Sequence, residues 1–187
     1  MAIHITGDDA ADQVLTDSPF ALLVGMMLDQ QYPMEHAFRG PAKVLERFGT
    51  IDPEAIAAAD PDEFAALCAT PPAVHRFPGS MASRMQELAA LVCGQYYGET
   101  ERLWTEAEDA PDLMRRVLDL PGFGKQKARI FIALLAKQLG VRPAGWEEVV
   151  GDYALGGYRS VADVVDAESL QKVREHKKEQ KAAAKAR

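Results

Sequence analysis

The sequence predicts an all-helical fold, and three observations support this prediction. No segment shows the sustained alternation of apolar and polar residues that a half-buried strand requires. Ser-Pro or Asp-Pro pairs at 18–19, 52–53 and 60–61 each combine an N-cap residue with a proline at the first helical position. Apolar residues recur at helical spacing on both sides of a Pro-Gly-Phe-Gly segment at 121–124. We therefore expect helices joined by short connections and no sheet.

The first half of the chain contains four predicted helices. A helix over 19–28 is apolar on nearly all sides, which is typical of the centre of a bundle. Two short Ala-rich helices begin at Pro53 and Pro61, and the Pro-Pro pair at 71–72 ends the second of them. A longer helix follows over 80–95. Its inner face is predicted to carry Met81, Met85, Leu88, Val92 and, as an open alternative, Leu91.

A tight helical hairpin is predicted over 111–139. Its two helices span 111–118 and 125–139, and Gly140 is a natural helix stop. Gly122 and Gly124 in the connection permit backbone geometry that other residues avoid, and they leave room for a close neighbour. Backbone N–H groups at the start of the second helix form an anion site that can hold a phosphate.

The last part of the chain divides into a short helix, a loop and a basic tail. The predicted helix spans 146–150, residues 151–157 form a loop, and Ser160 or Val161 opens a last helical region. The tail at 171–187 carries seven Lys or Arg and two Glu, a balance of +5 that leaves −12 for residues 1–170. We expect a helical domain over 1–170 and a partly disordered tail, which either follows a phosphate backbone or frays as a solubilising helix end.

Composition places the chain among cytoplasmic globular proteins. Its 187 residues, 48% of them hydrophobic, suggest one domain or one two-lobed domain. Residues 1–11 show no export signal, and no apolar run approaches the length that spans a membrane. Cys68 and Cys93 are interpreted as buried, reduced core thiols, and the four scattered histidines lack metal-ligand spacing. We therefore predict a monomer with no metal and no cofactor.

Residues 120–128, Leu-Pro-Gly-Phe-Gly-Lys-Gln-Lys-Ala, resemble the helix-hairpin-helix of the endonuclease III-like DNA glycosylases. All the fixed positions of the family pattern Leu-Pro-Gly-hydrophobic-Gly-x-x-x-Ala are present. The resemblance implies two small helical lobes with a cleft between them, and it implies binding of double-stranded DNA through the hairpin. Amides at Gly122 and Gly124, helped by Lys125 and Lys127, would hold a phosphate directly or through a monovalent ion; a solvated helix face is the alternative for the two lysines.

Two looser matches occur in order before the hairpin. Residues 18–31 resemble the family's first core helix, and residues 77–88 resemble a turn that opens the next helix. Enzymes that extrude a base need a residue that fills the vacated stack and a pocket for the base. By the resemblance, Gln30 and Gln31 are the inserting residues. Met26, Met27, Tyr32 and Trp146 are candidate pocket walls, with core packing as the alternative for the two methionines and the tryptophan.

The residue at 126 predicts the type of chemistry. In the bifunctional family members, a lysine two residues after the second glycine attacks the sugar, and here that position holds Gln126. A carboxamide cannot form a Schiff base. Lys125 and Lys127 flank it, but one helical step turns a side chain by about 100°, so neither is expected to point where Gln126 points. The sequence therefore predicts a monofunctional enzyme without lyase activity.

The family's catalytic aspartate, some eighteen to twenty residues after that lysine, has no direct counterpart. Positions 144–146 hold Ala-Gly-Trp, and acidic residues follow at Glu147, Glu148 and Asp152. We predict Glu147 as the catalytic carboxylate and Glu148 as the alternative, with Asp152 too far along the chain. A purely structural role in the first turn of a short helix remains the other interpretation for both glutamates.

Three functions are compatible with these residues. The leading hypothesis is a monofunctional DNA glycosylase that hydrolyses the N-glycosidic bond of a damaged base in base excision repair. The second is a catalytically silent DNA-binding protein that recognises lesions, which an acid on the outer surface rather than in the cleft would favour. The third is a helical protein whose hairpin makes only internal or protein contacts, supported by the pI of about 5.1.

Many endonuclease III relatives carry a four-cysteine iron–sulfur loop, which this chain, with two cysteines, cannot build.

Overall fold

The computed structural model describes residues 2–187 and confirms the all-helical prediction, since no strand occurs in that range. The α-helices in chain order are α1 (Asp9–Asp17), α2 (Pro19–Leu28), α3 (Met34–Phe48), α4 (Pro53–Ala58), α5 (Pro61–Ala69), α6 (Pro78–Tyr96), α7 (Arg102–Thr105), α8 (Ala110–Leu118), α9 (Lys125–Gln138), α10 (Trp146–Val150) and α11 (Ala167–Lys185). Two 3-10 turns, Gly151–Ala154 and Val161–Asp163, lie between α10 and α11.

The predicted Asp-Pro and Ser-Pro caps are present, because the side chains of Ser18, Asp52 and Asp60 each accept backbone N–H groups at the start of a helix.

The helix α2 is at the centre of the molecule, as its all-round apolar sequence predicts. Every residue from Phe20 to Leu28 is buried. The helix α3 packs closely against it, since a Cβ added at Gly25 would lie 2.5 Å from the ring of Phe38, and one at Gly40 would lie 2.5 Å from Leu28. Glycine at these two positions therefore lets α2 and α3 approach each other closely. One continuous apolar core then runs from Ile3 to Val173.

The predicted hairpin is the pair α8 and α9. Its connection turns at Gly122, with φ +83°, and Phe123 is buried below the turn. The ring of Phe123 packs edge-on against Phe131 of α9, with 5.9 Å between centroids, and Trp104 approaches Phe131 from another side at 6.2 Å. These aromatic contacts fix the hairpin on the core.

The basic tail is a helix here, which differs from the partly disordered chain that we expected. The helix α11 begins at a capping box between Asp166 and Ser169 and continues to Lys185. Its start is held by Gln138, whose side-chain amide donates to the backbone carbonyls of Val161, Ala162 and Val164 at 3.0–3.3 Å. The sequence predicted a last helical region from Ser160 or Val161, where a 3-10 turn begins, and α11 itself begins six residues later at Ala167.

Residues 2–187 contain no helix that is both long enough and apolar enough to cross a membrane. Cys68 is buried on α5, Cys93 is partly buried on α6, and both are free thiols. Burial raises the pKa of the Cys68 thiol to about 11. This thiol is therefore a core group rather than a reactive one.

Candidate functional site

The two glycines of the hairpin connection have different roles. A Cβ at Gly122 would lie 2.8 Å from Cδ of Arg84 and 3.2 Å from Cγ of Met27, and its positive φ disfavours other residues. Gly124 has φ −86° and ψ 178°, which any residue adopts, and its Cβ position faces open space. Gly122 therefore serves the packing of the hairpin on α2 and α6, whereas Gly124 leaves a surface accessible.

The surface that Gly124 leaves open is the start of α9. The backbone N–H groups of Lys125, Gln126 and Lys127 are in the first turn, where an α-helix offers no internal acceptor, and the first internal bond runs from Ala128 N to Gly124 O at 2.9 Å. Gly124, Lys125 and Gln126 are exposed. This end of α9 can accept an anionic oxygen, and the positive end of the helix dipole favours one.

Replacing Gly124 by valine is expected to weaken DNA binding about tenfold, because the branched side chain covers these amides and a hydrogen bond to a charged group contributes about 1.5–3 kcal/mol. The matched control is Gly94→Val on α6, where a Cβ also meets nothing within 4 Å. Fluorescence anisotropy on one duplex measures both variants. Equal affinities of the two folded variants would show that the hairpin amides do not contact DNA.

A large cleft lies beside the hairpin. Its volume is about 1200 Å³. Residues 29–35, which join α2 to α3, form one wall, the first turns of α9 form the second, and the basic face of α11 forms the third. Small-molecule sites occupy about 300–1,000 Å³, so a cleft of this size has room for a nucleoside and part of its backbone.

Two carboxylates line the cleft, and sequence reasoning identified neither. Asp29 follows the last residue of α2, its side chain is 10% exposed, and it lies 3.5 Å from Nζ of Lys177. Glu35 is in the first turn of α3, with Oε1 3.4 Å from Arg174 of α11. Its other oxygen, Oε2, is buried and has no hydrogen-bond partner among residues 2–187. Acids are therefore present in the cleft, but they come from α2 and α3.

Lys127 also lines the cleft, but its side chain turns to a different partner from that of Gln126, which bonds to Tyr153. Its Nζ donates a 2.8 Å hydrogen bond to the carbonyl of Met27 near the C-terminal end of α2, where carbonyls lack helical partners and a cation is favoured. Burial lowers the pKa of Lys127 to about 8, an effect that Asp29 opposes and that Arg84 and Lys177 strengthen. The ammonium that we predicted to contact phosphate therefore links α9 to α2.

His75 positions the segment that carries the predicted inserting residues. Its ring nitrogen Nε2 lies 3.1 Å from the carbonyl of Gln30, and Nδ1 accepts the N–H of Phe77 at 3.0 Å. Burial lowers the pKa of His75, which favours the neutral imidazole that this donor and acceptor pair needs. The ring of Tyr32 packs on His75 with 4.8 Å between centroids. No sequence motif indicated this role of His75.

The structure brings several of the residues that the sequence analysis named together in the cleft. Gln30, Gln31, Tyr32 and Gln126 line the cleft. Gln31 is exposed and adopts φ +50°. The amide of Gln126 donates to the hydroxyl of Tyr153 at 3.0 Å, which fixes the side chain at the position where bifunctional enzymes carry lysine.

Two predicted pocket residues lie elsewhere. Met27 is fully buried below Gly122, whereas Met26, the other candidate methionine, lines the cleft although it is only 1% exposed. One helical step turns a side chain by about 100°, so the two methionines contact different neighbours. Trp146 packs against the core at the start of α10, with the guanidinium of Arg142 5.9 Å from its ring centroid, and it does not line the cleft.

Glu147 and Glu148 also lie away from the cleft. Both are exposed on α10 and neither is among the residues that line the cleft. Oε2 of Glu148 bends back to within 3.8 Å of the Cβ position of Gly145. The expectation that the loop before α10 would deliver one of them to the cleft is therefore wrong, because α10 packs its apolar side on α8 and α9 and turns both acids to solvent.

Comparison with known families identifies one match. A family model described as HhH-GPD superfamily base excision DNA repair protein matches residues 24–187. A search of the curated proteins and a search of the solved structures found no match. The matched range includes the hairpin, all three walls of the cleft and the helix α11.

Proposed function

Because the chain belongs to the HhH-GPD superfamily of base excision DNA repair proteins, we propose that it is a monofunctional DNA glycosylase. It hydrolyses the N-glycosidic bond of a damaged or mismatched base in double-stranded DNA and leaves the strand intact. Asp29 is the carboxylate beside the extruded nucleotide in this proposal, in place of Glu147 or Glu148. The position of Asp29 in a nucleoside-sized cleft next to the hairpin is the observation that carries it.

The cleft supplies the parts that base extrusion requires. The predicted inserting residues Gln30 and Gln31 line it, and Tyr32 offers an aromatic face on which a base can stack. Asp29 is flanked by Lys127 and Lys177, so its carboxylate faces the same space as the first turn of α9. A negative charge there can stabilise the positive charge that develops on the sugar as the glycosidic bond breaks.

The basic face of α11 supports an approach of DNA from this side. Arg174, Lys177, Lys178, Lys181 and Lys185 all line the cleft, although the chain as a whole has a net charge of −7. In the free protein, Arg174 and Lys177 pair with Glu35 and Asp29. When DNA binds, its phosphates would pair with Arg174 and Lys177 in place of the two carboxylates. Glu35 and Asp29 would then be free to face the nucleotide.

A panel of duplexes, each with a single damaged base or mismatch, tests the proposed activity. Alkali after incubation converts abasic sites to strand breaks, so a glycosylase produces breaks at the lesion in one or more duplexes. The Asp29→Asn variant is tested on the same panel. Breaks that the wild type produces and the variant does not are due to enzymatic excision, and breaks common to both are background. A wild-type protein that binds lesion duplexes but produces no abasic sites would refute the enzymatic proposal.

Borohydride trapping is expected to give no covalent adduct between the protein and a substrate duplex. Gln126 cannot form a Schiff base, and Nζ of Lys127 is engaged by the carbonyl of Met27. Denaturing electrophoresis of the borohydride-treated reaction measures the adduct, and strand breaks should appear only after alkali. An adduct in the wild type that disappears in Lys127→Met would instead assign lyase activity to Lys127.

A catalytically silent lesion-recognition protein is the second candidate. The exposure of Glu147 and Glu148, the two acids nearest the family's catalytic position, favours it. The two functions differ in one result, since a silent protein binds lesion duplexes in preference to undamaged ones while every base stays attached.

A further inference from the structure

A second, smaller cavity lies next to the cleft, between α9, the 3-10 turn Gly151–Ala154 and α11. Its volume is about 430 Å³. Gln180 of α11 lines both cavities, and the hydrogen bond between Tyr153 and Gln126 joins the wall of one to the wall of the other. The two spaces therefore adjoin along α11.

Cationic and hydrogen-bond-donating side chains converge on this smaller cavity. Arg129 comes from α9, Arg159 from the segment before the second 3-10 turn, and His176 from α11. The hydroxyl of Tyr153 and the amide of Gln180 complete the polar lining. The single acidic side chain, Asp152, is exposed, so the two arginines leave the lining net positive.

Two nitrogens of this lining lack protein partners, whereas Nε of Arg159 donates to the backbone carbonyl of Gly156 at 3.2 Å. Nε of Arg129 and Nε2 of His176 are both buried without a hydrogen-bond partner among residues 2–187. Within that same range, neither Arg129 nor Arg159 forms an ion pair with a carboxylate. Buried donors in folded proteins are almost always satisfied, and a half-buried guanidinium without an anion is costly. Because Arg129 and His176 both line this cavity, their unpartnered nitrogens indicate a ligand that supplies hydrogen-bond acceptors.

We propose that this cavity binds the phosphate of a nucleotide, through Arg129 and Arg159 with His176 as a further donor. Guanidinium groups match the oxygens of a phosphate in paired hydrogen bonds. The volume falls within the range of small-molecule sites, about 300–1,000 Å³, and so accommodates a phosphate together with its sugar. The ligand is either a free nucleotide or the backbone of DNA that also occupies the cleft. Neither source requires that the protein cleaves a base.

Binding of three probes tests the proposal: inorganic phosphate, deoxyadenosine monophosphate and an undamaged duplex. Calorimetry measures affinity, and the NMR signal of the Arg129 Nε–H reports contact with that side chain. Arg129→Gln should weaken binding of at least one probe about tenfold or more, because it removes a charge-assisted pair. The matched control Arg76→Gln removes the same charge from an exposed arginine outside both cavities and should bind as the wild type does.

The pattern over the probes identifies the source of the phosphate. Weaker binding of the mononucleotide with unchanged duplex affinity identifies a free nucleotide, and weaker duplex binding identifies the DNA backbone. Arg159→Gln repeats the measurement if Arg129→Gln fails to fold by circular dichroism. Wild-type affinity of the folded variants for all three probes overturns the proposal, whether or not the protein excises a base.

Discussion

Replacing Asp29 by asparagine is expected to slow base excision by about two to three orders of magnitude, which corresponds to about 3–4 kcal/mol of lost stabilisation of the transition state. The amide keeps the shape and polarity of the side chain but removes the negative charge that opposes the developing positive charge on the sugar. Single-turnover excision on a substrate that the duplex panel identifies is the measurement, because it isolates the chemical step from product release.

Matched variants separate this effect from the loss of an ion pair. Lys177→Gln breaks the same contact with Asp29 but keeps the carboxylate, so it should weaken DNA binding while the excision step stays fast. Glu147→Gln and Glu148→Gln should excise at near the wild-type rate, since both side chains are exposed away from the cleft. Full activity of Asp29→Asn together with a large loss in Glu147→Gln would restore the assignment that the sequence suggested.

The stability of the protein is expected to depend on the protonation of Lys127 at alkaline pH. In the folded state burial lowers the pKa of Lys127 to about 8, whereas the ordinary value is 10.5. Between these two values the unfolded chain binds a proton that the folded protein does not, so the free energy of unfolding rises with pH across that interval. Across this whole interval the free energy of unfolding rises by at most about 3 kcal/mol, because one pH unit corresponds to about 1.36 kcal/mol.

Urea denaturation of the wild type and of Lys127→Met, from about pH 7 to about pH 11, isolates this contribution because all other titrating groups are common to both proteins. The wild type should gain stability relative to the variant as pH rises. A constant difference in the free energy of unfolding over the whole range would show that Lys127 stays exposed to solvent, and it would contradict the buried contact with the carbonyl of Met27.

Many of the helices and the hairpin were predictable because their causes are local in the sequence, whereas α1, α3 and α7 were not predicted. A serine or aspartate before a proline begins a helix through contacts within one turn. The hairpin follows from the spacing of apolar residues on both sides of two glycines. The replacement of the family's lysine by Gln126 is likewise a property of one position, which no tertiary contact changes.

The composition of the cleft was only partly predictable, because it depends on how separate helices pack. The sequence suggested Gln30, Gln31 and Tyr32, which lie at the end of a helix whose burial is evident. It could not choose between Met26 and Met27, which differ by one helical step and are equally apolar. Nor could it show that α11 folds back over Asp29, because the ion pairs and the contacts of Gln138 that hold α11 join residues far apart in the chain.

By itself, the sequence determined the helical fold, the hairpin, the absence of a lysine nucleophile at position 126 and the lack of cysteines for an iron–sulfur cluster. Only the tertiary structure decided which charged side chains face the cleft. Asp29 and Glu35 face it and Glu147 does not, and Lys127 is partly buried in it although the preceding residues Lys125 and Gln126 are exposed. The physical reason is that helix propensity and capping act within a few residues, whereas the direction of a side chain at a helix end depends on the packing of whole helices against each other.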